Sequence, residues 1–168
     1  MNNPPLPPGI VYTGGMHQRP PKNLPQELQK ILDASKSGAI YVSFGSNIHA
    51  SDLSQEKIDM MARVFSKLPY DILWKRDQYL HTHAAKNIHV SKWFPQTDLL
   101  YHPSIKLFIT QGGLQSSEEA IHAAVPLIGI PMYGDQWMHT ENYVHLRIGL
   151  QLDWNTLSEE EFMRSIER

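Results

Sequence analysis

The segment that decides the fold is residues 106–136, KLFIT-QGG-LQSSEEAIHAAV-PLIGI-PMYGDQ. Residues 106–110 and 126–130 are two short apolar runs in which polar and apolar positions do not alternate. Such runs are typical of strands that helices cover on both faces. Between them, Gly112-Gly113 ends the first run, and a helix is predicted to begin near Leu114. The segment therefore predicts a strand, a helix and a second strand of a parallel sheet.

The rest of the chain repeats this alternation. Strands are also predicted at residues 10–13, 39–44, 70–74 and 88–91, and helices at residues 26–34, 53–68 and 135–147. A last helix is predicted after Thr156, which has capping-box spacing to Glu159. We therefore predict an α/β domain with an open, doubly wound, mostly parallel sheet, in which ligands bind beyond the carboxyl ends of the strands.

Composition excludes several classes of function. The chain has 168 residues, of which 41% are hydrophobic and 19% charged, as expected for one soluble globular domain. With a formal net charge of -2, the chain lacks the excess of basic residues that is typical of proteins that bind nucleic acid. Cysteine is absent, and His81 and His83 would point to opposite faces of a strand, so no metal site is predicted. No stretch reaches the roughly 20 apolar residues of a spanning helix.

A phosphate site is predicted where Gln111-Gly112-Gly113 joins a strand to the next helix. The free amides of the first helical turn and the positive end of the helix dipole favour an anion there. A tight turn without a ligand would have the same sequence. Glu118 and Glu119 follow one turn later, where a carboxylate can cap the helix or accept hydrogen bonds from ribose, and spacing does not choose between them.

Three other polar or aromatic groups also follow predicted strands. Trp93 in Trp93-Phe94-Pro95-Gln96 can stack on a base, although a tryptophan that closes the core would give the same pattern. Asp135-Gln136 can bind vicinal sugar hydroxyls, or Asp135 can cap the next helix. Ser46 can hold a phosphate oxygen or belong to a simple turn. Each feature alone has a structural explanation, but their joint occurrence at strand ends favours a nucleotide-sugar site.

These residues resemble the UDP-glycosyltransferases, particularly their insect and baculovirus branch. The resemblance is carried by residues 93–136, by Val42-Ser43-Phe44-Gly45-Ser46 upstream and by Asp153-Trp154-Asn155-Thr156 downstream. It implies that residues 9–168 are the carboxyl-terminal, UDP-sugar donor-binding half of a B-type glycosyltransferase, with a Rossmann-like fold. Residues 1–8, which are rich in proline, would then be a remnant of the interdomain linker.

The resemblance also implies a role for each candidate residue. Trp93 would stack on uracil, Gln96 would bind the nucleoside, and Glu119 would hold the ribose hydroxyls. The diphosphate would contact Ser46, Gln111, Gly112, Gly113, Gln115 and Ser116, and the sugar hydroxyls would contact Asp135 and Gln136. Most vertebrate and plant members have histidine in place of Gln111 and asparagine in place of Gln115. Because an amide does not titrate, donor affinity is expected to depend less on pH here.

The reaction implied by the resemblance belongs to a longer parent enzyme. Family members take their catalytic histidine and its aspartate from an amino-terminal domain, so no catalytic residue is predicted in this chain, and the fragment alone is expected to be soluble and inactive. The parent would transfer a hexose, most simply glucose, from a UDP-sugar to a small lipophilic acceptor, with inversion and without a metal or other cofactor. We expect it to act in detoxification, anchored in the endoplasmic reticulum membrane by a carboxyl-terminal helix, with this domain on the lumenal side.

Two other functions compete with this interpretation. A Rossmann-type dehydrogenase would share the sheet but should carry G-x-G-x-x-G in its first βα turn, a pattern that neither Gly14-Gly15 nor Gly45-Ser46 provides. A catalytically inert module that binds a nucleotide sugar or a dinucleotide is the other possibility, since a fold alone does not give a function. Titration with UDP and with NAD separates a UDP-sugar site from a dinucleotide site.

Overall fold

The structure is a computed structural model that describes residues 7–11, 13–46, 48, 53–76 and 85–168. Within these residues, helices and strands alternate along the chain. The strands are β1 (Ala39–Ser43), β2 (Asp71–Lys75), β3 (Ile88–Ser91), β4 (Ile105–Thr110), β5 (Leu127–Gly129) and β6 (Gly149–Gln151). The helices are α1 (Gln26–Ala34), α2 (Gln55–Lys67), α3 (Gln96–Leu100), α4 (Leu114–His122), α5 (Gln136–His145) and α6 (Glu159–Glu167). No helix in this described part is long and apolar enough to cross a bilayer.

The strands form a six-stranded sheet in the order β3-β2-β1-β4-β5-β6, and every pairing is parallel. The strand order reverses between β1 and β4, so the loops that leave these two strands diverge and open a crevice at the carboxyl ends. All five residues of β1 are buried, as expected for a central strand covered on both faces. The predicted doubly wound α/β fold is confirmed.

Helices cover both faces of the sheet. On one face, α2 and α6 pack over Ile40 and Val42, and the rings of Phe65 and Phe162 meet edge to face at 5.5 Å. On the other face, α1, α3, α4 and α5 pack over a core that contains Tyr41, whose ring stacks on Phe108 at 4.9 Å. The two cores fix the positions of the strands, and the strand ends in turn position the loops that follow them.

The predicted strand at residues 10–13 is wrong. Ile10, Val11 and Thr13 lie outside the sheet, and residue 12 is not among the described residues. Val11 is 78% exposed. β-Branched residues favour a strand only where a neighbouring strand can supply hydrogen bonds and packing, and no described strand pairs with Ile10, Val11 or Thr13.

The cap of the last helix also differs from the prediction. α6 begins at Glu159, and its N-cap is Ser158, whose Oγ accepts a hydrogen bond from the Glu161 N–H at 3.1 Å. Ser158 and Glu161 have the same spacing as Thr156 and Glu159, so the capping-box pattern occurs twice, and only the second occurrence caps the helix.

Two elements, α3 and β6, were not predicted, because five and three residues are too few to show a hydrophobic period.

Candidate functional site

A cleft of about 380 Å³ lies at the carboxyl edge of the sheet, beside the reversal of strand order. Doubly wound folds bind their ligands at this position. Of the predicted site residues, the cleft is lined by Ser46, Trp93, Gln96, Gln115, Ser116 and Glu119. The structure therefore brings together residues from the loop after β1, from the segment after β3 and from the first turns of α4.

The carboxylate of Glu119 is fixed by two hydrogen bonds. Gln96 Nε2 donates to Glu119 Oε2 at 2.6 Å, and Thr97 Oγ1 donates to Glu119 Oε1 at 2.6 Å. Hydrogen bonds to an ionised acceptor at this distance are among the stronger kinds in proteins. The two donors hold the carboxylate in one orientation at the wall of the cleft.

Gln96 is itself held by two neighbouring side chains. Its Oε1 accepts a hydrogen bond from the Tyr41 hydroxyl at 3.1 Å, and its Nε2 also donates to Ser116 Oγ at 3.0 Å. Tyr41 is fully buried, and this burial raises the pKa of its hydroxyl, which therefore remains a donor at neutral pH. The amide of Gln96 is consequently oriented with its nitrogen toward Glu119.

The two neighbouring glutamates take different roles. Glu119 lines the cleft, whereas Glu118 does not and instead lies with its Oε2 at 3.4 Å from His17 Nδ1. Successive residues of a helix point about 100° apart, so α4 can present only one of them to the cleft. Sequence spacing did not distinguish Glu118 from Glu119, and the orientation of α4 about its axis directs Glu119 to the cleft.

Trp93 is not part of the core. The residue is 70% exposed, and the Lys75 ammonium lies 5.3 Å from its ring centroid. Lys75 Nζ also donates to the Gly45 carbonyl at 3.0 Å, so the cation is positioned by the loop after β1. An exposed aromatic ring on the rim of a polar cleft is available for stacking on a planar ligand.

The amino terminus of α4 faces the same cleft through Gln115 and Ser116. Gly113 is the N-cap, and the Ser117 N–H makes the first helical bond, to the Gly113 carbonyl at 2.9 Å. The amides of the preceding first turn therefore have no acceptor within the helix, and the helix dipole places positive potential there.

Gln111 and the glycines beside it lie behind the cleft surface. Gln111 is only 8% exposed, and its Oε1 accepts a hydrogen bond from Thr110 Oγ1 at 3.1 Å. Gly112 has φ +90°, and its carbonyl accepts a hydrogen bond from His139 Nδ1 at 2.9 Å. None of Gln111, Gly112 and Gly113 lines the described cleft, so their phosphate contacts stay predictions.

Asp135 and Gln136 also lie outside the residues that line the cleft. The Asp135 side chain is 68% exposed and makes no hydrogen bond that caps α5. Gln136 is 5% exposed, and its Oε1 accepts hydrogen bonds from the amides of Met132 at 2.9 Å and Tyr133 at 3.2 Å. In this conformation Gln136 supports the loop before α5, and the sugar contacts of both residues stay predictions.

Sequence reasoning did not identify several residues that shape the cleft: His17, Arg19, Tyr41, Lys75 and Thr97. Thr97 follows Gln96 directly, but only the helical turn of α3 brings its hydroxyl to Glu119. His81 and His83 are outside the described residues. Among the residues that are described, no group of three or more His, Cys, Asp or Glu side chains is arranged to hold a metal ion.

Comparison with known proteins relates the chain to one family. The family model described as "UDP-glucoronosyl and UDP-glucosyl transferase" matches residues 2–168. An ecdysteroid UDP-glucosyltransferase of Mamestra brassicae nuclear polyhedrosis virus is 42% identical over 167 residues, which are 98% of this chain and 31% of that protein. A UDP-glycosyltransferase of Dactylopius coccus is 38% identical over 164 residues, again 98% of this chain and 31% of that protein. The chain thus spans about a third of the length of these relatives.

Solved glycosyltransferases share the fold. A kitacinnamycin glycosyltransferase superimposes with a TM-score of 0.70 at 22% identity, over 95% of this chain and 38% of that one. Spinosyn forosaminyltransferase superimposes with a TM-score of 0.73 at 20% identity, over 88% of this chain and 38% of that one. At this identity the likeness concerns the fold alone, but the family match decides against the dehydrogenase interpretation. The chain belongs to the UDP-glycosyltransferase family.

Proposed function

We propose that the cleft binds the UDP part of a UDP-hexose, and that residues 9–168 are the donor-binding domain of a two-domain glycosyltransferase. Residues 1–8 would be a remnant of the linker, and the acceptor site and catalytic base would belong to the amino-terminal half of the parent enzyme. The observation that carries the proposal is the fixed carboxylate of Glu119 in one cleft with the exposed ring of Trp93.

The nucleoside is assigned to the part of the cleft between these two residues. Uracil would stack on Trp93, while the vicinal ribose hydroxyls would donate to Glu119. A carboxylate has about four acceptor positions, of which Gln96 and Thr97 use two, so about two remain for the 2′- and 3′-hydroxyls. Gln96 would orient the carboxylate and lie beside the nucleoside.

The diphosphate is assigned to the amino terminus of α4. The free amides there, with Ser46, Gln115 and Ser116 in the cleft wall, support an anion without a bound cation. Gln111, Gly112 and Gly113 would contribute once the Gln111 amide turns toward the phosphate. If Gln111→Ala binds UDP as tightly as the unchanged chain, Gln111 shapes the turn but does not contact phosphate.

The hexose is assigned to Asp135 and Gln136. The Asp135 carboxylate is exposed and can accept hydrogen bonds from sugar hydroxyls. The Gln136 oxygen is used by backbone amides, which leaves its NH₂ group to donate to the sugar. Glucose is preferred over glucuronate because a uronate would bring a second negative charge toward Asp135, and galactose is the other neutral hexose to compare.

For the parent enzyme, we propose inverting transfer of the hexose to a small lipophilic acceptor, in the manner of detoxification enzymes. Helix amides would stabilise the departing diphosphate, so neither a metal nor another cofactor is required. The ecdysteroids named for the viral relatives are the first acceptors to test, by mass spectrometry of products formed by the parent. Protease protection of the parent in sealed microsomes tests its proposed membrane anchor and lumenal orientation in the endoplasmic reticulum.

Calorimetric titration of this chain with nucleotides tests the proposed donor site. We expect weak binding of UDP, UDP-glucose and UDP-galactose, weaker binding of UDP-glucuronate, and no binding of NAD. Glu119→Gln should weaken UDP binding at least tenfold, because an amide NH₂ would face the donors of Gln96 or Thr97. Glu118→Gln is the matched control and should bind UDP like the unchanged chain. Equal effects of the two substitutions would contradict the assignment, and glycosylation of an acceptor by this chain alone would contradict the proposal that the catalytic base belongs to another domain.

A further inference from the structure

We propose that Arg19 is a positioning residue of the ribose site, which it stabilises through Asp98. Arg19 holds Asp98, Asp98 holds the first turn of α3, and that turn carries Gln96 and Thr97, the two donors to Glu119. The inference rests on the proposed function, because it concerns how the same site keeps its ribose acceptor in place.

The contact between Arg19 and Asp98 has a defined geometry. Arg19 Nη1 donates to Asp98 Oδ1 at 2.6 Å, and Arg19 Nη2 donates to Asp98 Oδ2 at 2.9 Å. The Lys22 amide also donates to Asp98 Oδ1 at 2.6 Å. Two parallel bonds from a planar guanidinium fix both the distance and the orientation of a carboxylate, which a single ammonium does not do.

Asp98 is buried, with 8% of its surface exposed, although it is charged. Its hydrogen bonds with Arg19, followed by the Lys22 amide, hold the pKa of the Asp98 carboxyl below its ordinary value. Buried carboxylates are uncommon unless they are paired, so a residue of this kind depends on its partners for its position. The partners, Arg19 and Lys22, lie 79 and 76 positions earlier in the chain.

Helix α3 depends on such contacts because it has only five residues. A helix this short is not stable by its own hydrogen bonds, so its side-chain contacts determine where it lies. Leu99 and Leu100 anchor it in the core, and Asp98 anchors it to the segment that precedes α1. Without the Asp98 anchor, Leu99 and Leu100 still hold the apolar end of the helix, and the first turn is held only by the hydrogen bonds of Gln96 and Thr97 themselves.

The residues that depend on this anchor are the two that precede Asp98 in the same turn. Gln96 and Thr97 donate to Glu119 at 2.6 Å each, and bonds of this length are lost when a donor moves by about 1 Å. Arg19 itself lines the cleft. The ion pair therefore influences the position of the ribose acceptor, Glu119. The ring of Trp93 takes no part in this chain of contacts.

Binding of UDP and of 2′,3′-dideoxy-UDP, measured by calorimetry, separates positioning from a general effect on the fold. The dideoxy compound keeps uracil and diphosphate but lacks the hydroxyls assigned to Glu119. The unchanged chain is expected to prefer UDP by about tenfold or more. Arg19→Met should reduce this preference to within about threefold, by weakening UDP binding and leaving the dideoxy compound unaffected. Arg19→Lys, which keeps the charge but loses the paired geometry, should give an intermediate preference.

The matched control is Arg63→Met. Arg63 lies on α2 and, like Arg19, pairs with a carboxylate: its Nε donates to Glu159 Oε2 at 3.1 Å. Neither residue of this pair lines the cleft. This variant should keep the full preference for UDP. If both Arg19 variants keep the preference for UDP of the unchanged chain, or if they bind UDP and the dideoxy compound more weakly by the same factor, the proposed role of Arg19 is wrong. Absence of UDP binding by the unchanged chain instead overturns the proposed function on which it rests.

Discussion

Replacement of Trp93 by alanine is expected to weaken UDP binding while leaving the fold intact. Base stacking on an aromatic side chain contributes about 1 to 3 kcal/mol, which corresponds to a rise in Kd of about 5- to 150-fold. The residue is 70% exposed, so its removal leaves no cavity in the core. The main loss of stability would be the contact with Lys75 at 5.3 Å, about 0.5 to 1 kcal/mol for an exposed cation and ring.

Isothermal titration with UDP and thermal unfolding measure the two effects separately. The melting temperature of Trp93→Ala should fall by no more than about 4 °C, the shift expected for 1 kcal/mol in a domain of this size. Trp93→Phe should retain part of the affinity, because it keeps a smaller ring. Trp137→Ala, which removes a 38% exposed tryptophan outside the cleft, is the matched control and should change UDP affinity little. An unchanged Kd in Trp93→Ala would refute stacking, and a much larger loss of stability would mean that Trp93 supports the core.

Two further predictions concern the packing around the cleft and its pH dependence. A Cβ at Gly45 would lie 2.2 Å from the Nε2 of buried Gln111, whereas one at Gly134 would meet nothing within 4 Å, and both glycines have positive φ. Gly45→Ala should therefore destabilise the fold by about 0.5 to 1.5 kcal/mol more than Gly134→Ala in urea unfolding, because the Gln111 amide must rotate away, and equal losses would contradict this packing. Because Arg19 lowers the folded-state pKa of Asp98, the stability from this pair is present above the unfolded pKa of about 4 and is lost as pH falls through the lower folded value. In urea unfolding between pH 2 and 6, the free energy of unfolding should fall more steeply with decreasing pH for the unchanged chain than for the Asp98→Asn variant. The same pH dependence in both proteins would contradict this contribution of the ion pair.

The sheet was predictable because its central strands are short apolar runs separated by amphipathic helices. Burial on both faces removes the alternation of polar and apolar residues, and the sequence shows this directly. The strand predicted at residues 10–13 failed because its β-branched residues have no neighbouring strand. Conversely, β6 has only three residues and is a strand because it pairs with β5. Pairing is a property of the tertiary fold, which local sequence does not contain.

The candidate site divides in a similar way. The positions of Trp93 and Gln96 could be predicted because both follow a strand, and parallel strands bring such positions to one edge. Spacing did not distinguish Glu119 from Glu118, and Glu119 was assigned only through the family resemblance. The contact from Arg19 to Asp98 could not be predicted, since the two residues are 79 positions apart and the contact depends on the path of the segment before α1. The burial of Gln111 was equally hidden, because it depends on a side-chain rotamer packed against the loop after β1.

The most direct test of the donor site is an NMR titration of the tryptophan indole N–H signals with UDP. The chain has four tryptophans and should give four such signals, of which Trp93→Phe removes one and so identifies it. Trp74 is 1% exposed and serves as an internal reference within the core. A nucleotide that stacks on Trp93 should shift this signal more than the other three, and NAD at the same concentration should not. A Trp93 signal that stays in place at saturating UDP would contradict the proposed function.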